Sequence, residues 1–316
     1  MSKILFLLST LLLSVSVYAQ DKKKEAAPAP TAKAEEKKEE VDEADLVITN
    51  RRLRADMGST SNWSVRTFWN YQGGSLEKPL VADRPNIDRG ADNLTLANAS
   101  GNVGVRYRMT KFESLNLSVG LNMTTPFHSS FKTNNQKLQE NFDKNSQELT
   151  IQDPTLTYNK VASVWGFQVS TNASVSYITN AQLETLGYRN LASVSTQWMK
   201  DLGGGWTVGP GLQYLGYTFN SNYKGGNLLD RSLVFFPAVE YSFNDKFLWR
   251  AVYRVFTDRQ NNDDSWTYKK RTDSISTGIG ISITRDIFLY PNIQFIPEDI
   301  RSDRTNVAMS ANINLF

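Results

Sequence analysis

From residue 61 onward the chain alternates. Leu115, Leu117, Val119, Leu121 and Met123 take every second place, and Asn116, Ser118, Gly120, Asn122 and Thr124 take the places between. Ile275, Thr277, Ile279, Ile281 and Ile283 alternate in the same way with Ser274, Ser276, Gly278, Gly280 and Ser282. Successive side chains of an extended strand point to opposite faces, so each segment has one apolar and one wet face. Strands are predicted at 61–72, 97–110, 115–126, 149–159, 165–178, 189–200, 206–219, 230–243, 247–258, 272–284, 287–296 and 305–316. In the last of these, Val307, Met309, Ala311, Ile313 and Leu315 share one face, opposite Ala308, Ser310, Asn312 and Asn314.

The connections alternate too. Short ones at 111–114, 160–164, 201–205, 244–246 and 285–286 interleave with long polar ones at 73–96, 127–148, 179–188, 220–229, 259–271 and 297–304. Phe112, Trp165, Trp198, Trp206, Phe243, Phe247 and Trp249 fall beside the short turns. Trp69, Tyr71, Phe127, Tyr177, Tyr217 and Tyr253 fall toward the long loops. Two aromatic belts, one oily face and alternating loop lengths predict an all-β, transmembrane, antiparallel up-and-down β-barrel of about 12 strands. The wet faces carry Asn, Ser, Gly and Thr where a soluble sheet would carry many Lys and Glu.

Composition is consistent with this reading. Mean hydropathy is −0.42, because only alternate residues of a barrel strand meet lipid. After residue 20 there is no apolar run long enough for a spanning helix. A net charge of +3 gives no sign of a nucleic-acid partner. With no Cys, neither a disulfide framework nor a lipid-modified cysteine anchor is available.

Three parts are expected. Residues 1–19 read as a signal peptide, with Lys3, an apolar core and the small-residue site Val17-Tyr-Ala19. Residues 20–57 read as a periplasmic segment, disordered or partly helical, rich in Lys, Glu, Ala and Pro and free to touch the cell wall. Its last stretch, with three Arg and several apolar residues, reads as a short strand or as a piece tucked into the barrel mouth. Residues 58–316 form the barrel, and an even strand number puts both termini in the periplasm.

The chain from about 61 to 316 resembles the bacterial outer-membrane β-barrels, in the size range of small porins and narrow channels. The resemblance rests on the export signal, the strand rhythm, the aromatic belts and terminal Phe316. It implies outer-membrane lipid as surroundings and Phe316 as the assembly signal read by the barrel-assembly machinery. The apolar set of the last strand is one residue out of phase with Phe316.

Function then turns on the wet face. Arg66, Arg106, Arg108, Arg250 and Arg254 fall on it with Glu240, joined by Asp153 and Asp273. Arginines lining a narrow pore attract anions, so the leading expectation is passive diffusion of small hydrophilic solutes with a mild anion bias. Loops 73–96 and 127–148 are expected to narrow the lumen. An alternative is a lipid hydrolase. His128-x-Ser130, followed by Glu140 and Asn141, resembles the His-x-Ser pair of the outer-membrane phospholipase A and lipid A deacylase families. A third reading is a closed structural or partner-binding barrel. No cofactor is implied, and a single His cannot supply a multi-histidine metal site.

Overall fold

The computed structural model describes residues 43–221, 223, 226–263 and 267–315. The expected signal sequence, most of the charged segment and Phe316 lie outside the described residues. Twelve strands form a closed antiparallel ring. They are β1 Trp63–Ser75, β2 Asn98–Arg108, β3 Glu113–Thr124 and β4 Leu149–Val164. Next come β5 Phe167–Tyr177, β6 Tyr188–Gly203, β7 Trp206–Gly209 with Gly211–Phe219, and β8 Leu229–Phe235 with Ala238–Ser242. The ring ends with β9 Phe247–Gln260, β10 Ser274–Ser282, β11 Ile287–Phe295 and β12 Asn306–Leu315. Each pairs with its sequence neighbours, and β1 pairs with β12 to close the ring.

Proline explains the two interrupted strands. Pro210 in β7 and Pro237 in β8 have no N–H to give the ladder. Their carbonyls still accept, from Trp198 N–H at 2.9 Å and Tyr253 N–H at 3.1 Å. One expected turn moves. Residues 160–164 continue β4, paired with β5, and the reversal is the two-residue turn Trp165-Gly166. Both have positive φ, 52° and 77°. That conformation matches the strand twist in a two-residue hairpin, and glycine adopts it freely.

Side chains sort as the alternation requires. Val105, Leu117, Leu156 and Val175 are cross-strand partners in one row across β2 to β5, all pointing out. Leu117 is 62% exposed while its neighbours Asn116 and Ser118 are 5% and 4% exposed. An apolar band open to the exterior, beside buried amides and hydroxyls, is the inverse of a soluble fold and suits lipid. Aromatic residues cluster at the short-turn end. Trp206 lies 4.8 Å from Tyr241 and 6.3 Å from Trp249 between ring centres, and Trp165 is 86% exposed. Among the described residues no helix is long and apolar enough to cross a membrane.

The loops have structure of their own. Loop 73–96 holds a small hairpin, Asp83–Pro85 with Leu94–Leu96, and a single 3-10 turn at Ile87–Arg89. Ile87 and Ala91 pack on Ile296. In loop 127–148 a helix, α3 Gln136–Asn145, sets Leu138 and Phe142 against Leu96. Replacing Leu117 with Arg puts a charge in the middle of the apolar band and is expected to cost about 2–4 kcal/mol. Urea unfolding of the protein in lipid vesicles measures this, and Ser118→Thr on the wet face serves as the near-neutral control.

Candidate functional site

Residues 43–60 lie inside the barrel at its short-turn end. They form two short helices, α1 Glu43–Val47 and α2 Arg51–Met57. Asn50 starts α2: its side-chain oxygen accepts from the Leu53 N–H at 3.0 Å, capping an otherwise orphaned donor. Gly58, with φ 84°, ends it. A Cβ there would sit 2.8 Å from Arg106 Nε. Leu53 and Met57 lie one helical turn apart and share a face. With Ile48 they are buried against Val161, Met199, Ala238 and Val252 of the wall. Ala55, on another face, meets Leu248, Phe288 and Tyr290.

Polar contacts hold the segment around much of the circumference. Glu240, 2% exposed, is the hub. Arg250 Nε donates to it at 2.9 Å, Asn50 Nδ2 at 2.6 Å, and Arg52 Nε lies 3.6 Å away. On the far wall Asp56 meets Arg66 at 3.8 Å and accepts from Asn312 Nδ2 at 2.8 Å. Asn314 Nδ2 donates to the Ala55 carbonyl at 2.9 Å. Gln168 takes the Asn50 N–H and gives a hydrogen bond to Thr49 Oγ1.

Three short turns grip the segment as well. Arg285, between β10 and β11, donates twice to Asp45, at 2.6 and 2.9 Å, and once to the Gly58 carbonyl at 2.7 Å. Burial opposes the Arg285 charge, but the Asp45 bonds and charge outweigh it, so its pKa is raised. Lys111 pairs with Glu43 at 2.9 Å and Arg51 with Asp245 at 3.1 Å. Those two pairs are exposed, and each is worth ~0–1 kcal/mol.

The six residues expected to line the lumen are therefore spoken for in different ways. Glu240 and Arg250 form a buried cross-strand pair, and Arg66 reaches Asp56. Arg106 and Arg108 donate to the Ser59 and Thr60 carbonyls, both at 2.7 Å. Arg254 is set apart. Its Nη1 donates to Ser276 Oγ at 3.0 Å, and it faces a lumenal cavity of about 500 Å3. Arg52 and Asp56 of α2 lie on the wall of that cavity, and so do Ile87 and Asp88 of loop 73–96. That loop folds inward, as expected. A second cavity of about 550 Å3 lies among Asn98, Asn122, Asn145 and Asn180 and reaches Arg84. Burial in the loop hairpin pushes the Arg84 guanidinium down to about 10.

Asp153 and Asp273 have rim partners. Asp153 accepts from the Thr179 and Asn180 N–H groups, and Asp273 accepts from Tyr253 and Lys270. His128, Ser130 and Asn141 are not joined by hydrogen bonds among the described residues. His128 Nε2 donates to the Leu80 carbonyl and ties two long loops together. Asn141 lies on α3 and accepts from Asn145 at 2.8 Å. No group of acidic or His side chains that could hold a metal occurs among the described residues.

Sequence reasoning missed Asn50, Arg52, Asp56 and Arg285. One signal was available: Val161, Met199, Leu248 and Phe288 are apolar yet stand on the wet parity, toward the short turns. Replacing Glu240 with Ala strands Arg250 and is expected to cost ~3–5 kcal/mol, read as a lowered urea midpoint in detergent.

No protein-family model matches the sequence, and no curated protein matches it. Solved structures do. An outer-membrane channel of Pseudomonas putida F1 superposes with a TM-score of 0.51 at 12% identity, covering 82% of this chain and 98% of that one. The NanC porin gives a TM-score of 0.44 at 10% identity, covering 80% and 99%. The KdgM porin, solved with a disordered oligogalacturonate, gives 0.39 at 7%, covering 80% and 98%. At 12% identity the likeness to the Pseudomonas channel speaks for the fold alone, a closed antiparallel β-barrel, and the apolar exterior suits that barrel to lipid.

Proposed function

We propose that the protein is a porin-like outer-membrane channel for small hydrophilic solutes, closed at its short-turn end by its own residues 43–60. The observation that carries this reading is the wet-lined cavity between the N-terminal segment and inward-folded loop 73–96. A barrel kept for structure alone needs no such chamber. In this reading the short turns face the periplasm, and the even strand number puts both ends of the barrel on that same side.

The anion bias rests on fewer charges than the sequence suggested. Arg66 and Arg250 face carboxylates at 3.8 and 2.9 Å, so their fields are largely cancelled. Arg254 has no such partner within ion-pair distance among the described residues, and the bias is assigned chiefly to it. A closed structural barrel is the second reading, favoured by the many bonds that seat residues 43–60.

Planar-bilayer recording separates the two. Deleting residues 43–57 is expected to raise single-channel conductance several-fold, and reversal potentials in a salt gradient are expected to show anion preference. Arg254→Ala is expected to move that preference toward cations by more than Arg66→Ala does. Folded protein that conducts in neither the full-length nor the shortened form would establish the structural barrel.

A further inference from the structure

We propose that the lumenal cavity beside Arg254 is a binding site for an organic monocarboxylate whose apolar part is a ring. The proposal deepens the channel reading by naming the class of solute that pauses inside.

Charge gives the first half of the argument. Arg52, Arg66, Arg250 and Arg254 stand on or directly behind the cavity wall, and Asp56, Asp88 and Glu240 oppose them. Four guanidiniums face three carboxylates. The ion pairs account for three of the cations: Arg250 and Arg52 share Glu240, and Asp56 lies between Arg52 and Arg66. The surplus of one positive charge belongs to the chamber as a whole, since those three arginines divide two carboxylates and Asp88 is the remaining acid. Arg254, bonded to a neutral hydroxyl, is the guanidinium without a carboxylate at ion-pair distance among the described residues. A guanidinium bonds a carboxylate through two parallel N–H groups. One surplus positive charge in a low-dielectric chamber suits a monoanion and gives a dianion no second partner.

Wall chemistry gives the second half. Phe68, Phe256 and Tyr290 line the same cavity. Tyr290 cannot turn away, because its hydroxyl donates to the Arg250 carbonyl at 3.1 Å and its ring lies under the Arg250 guanidinium at 5.4 Å. Phe256 is held in the same manner by Arg271, 4.8 Å from its ring centre. Fixed aromatic faces beside a lone guanidinium describe a ligand with a flat apolar body and one charged end. A cavity of about 500 Å3 is in the range of small-molecule sites.

Isothermal titration calorimetry of the full-length protein in detergent, with benzoate as the probe, tests the site without requiring conduction. Barrel closure in each variant is first checked by its heat-dependent shift on gels. Benzoate is expected to bind the parent protein. Arg254→Gln is expected to weaken it about tenfold or more, and Arg254→Lys, which keeps the charge, by much less. Benzamide, the neutral isostere, and inorganic phosphate are expected not to compete. No benzoate binding, equal binding by Arg254→Gln, equal loss in Arg254→Lys, or competition by benzamide or phosphate would each overturn the proposal. A barrel that binds benzoate but conducts nothing would keep the site and reject the channel.

Discussion

The seam between β1 and β12 is the contact on which the molecule depends. Val65 faces Leu315 and the ladder runs without interruption to Gln72 and Ala308. A lipid interior offers no water to unpaired backbone groups, each of which costs several kcal/mol. An open twelve-stranded sheet would present two such edges. Closing them fixes nearly everything else: strand parity, the apolar row Val105-Leu117-Leu156-Val175 outside, and the amides and hydroxyls inside.

Closure also creates a volume problem. Eight strands leave an interior that side chains fill, and twelve leave more than that. This chain fills the surplus from both ends. Residues 43–60 enter at the short turns, and loop 73–96 enters at the long loops. The chamber between them follows from two fillers that do not meet all along the axis. Arg254 is left there without a carboxylate at ion-pair distance among the described residues because Glu240 and Asp56 hold the neighbouring arginines.

The barrel was legible because its signals are local and repeated. Alternation in β3 or β10 is read from nine to twelve successive residues, and the structure keeps each of those faces. The turn after β4 was expected at 160–164, ahead of its actual determinant, the positive-φ backbone conformation at Trp165 and Gly166. For residues 43–60 a piece tucked into the barrel mouth was one of the two readings, in place of a strand, but the contacts that seat it were not legible, for a different reason. Asp45 meets Arg285 and Ala55 meets Asn314 across more than two hundred residues, and no local pattern encodes such pairs. Parity misfits held a trace of it, since Met199 and Leu248 are oily residues on a wet face that make sense only if something apolar fills the lumen. For the arginines, the partners rather than the strand parity decide the roles. Arg66 and Arg254 look alike in sequence and differ by the presence of Asp56.

The seat of the N-terminal segment divides its forces by kind. Burial of Leu53 and Met57 supplies attraction, at roughly 1.5–3 kcal/mol for each side chain fully removed from water. The charges supply position, because a buried ion pair adds little net stability over an apolar replacement while a misplaced one is costly. The wall keeps its own bonds without the segment. Glu240 and Arg250 are both barrel residues on adjacent strands, so Glu240 stays paired when Asn50 and Arg52 leave. Asp56, whose carboxylate meets Arg66 and Asn312, belongs to the segment, and its departure leaves those wall groups facing water. The β1–β12 seam is held by its backbone ladder and by the Ser310 hydroxyl donating to Asn70 Oδ1 at 3.1 Å, none of which involves the segment. The barrel is thus built to stand empty, and the segment is an insert whose removal costs the wall no buried, unpaired charge.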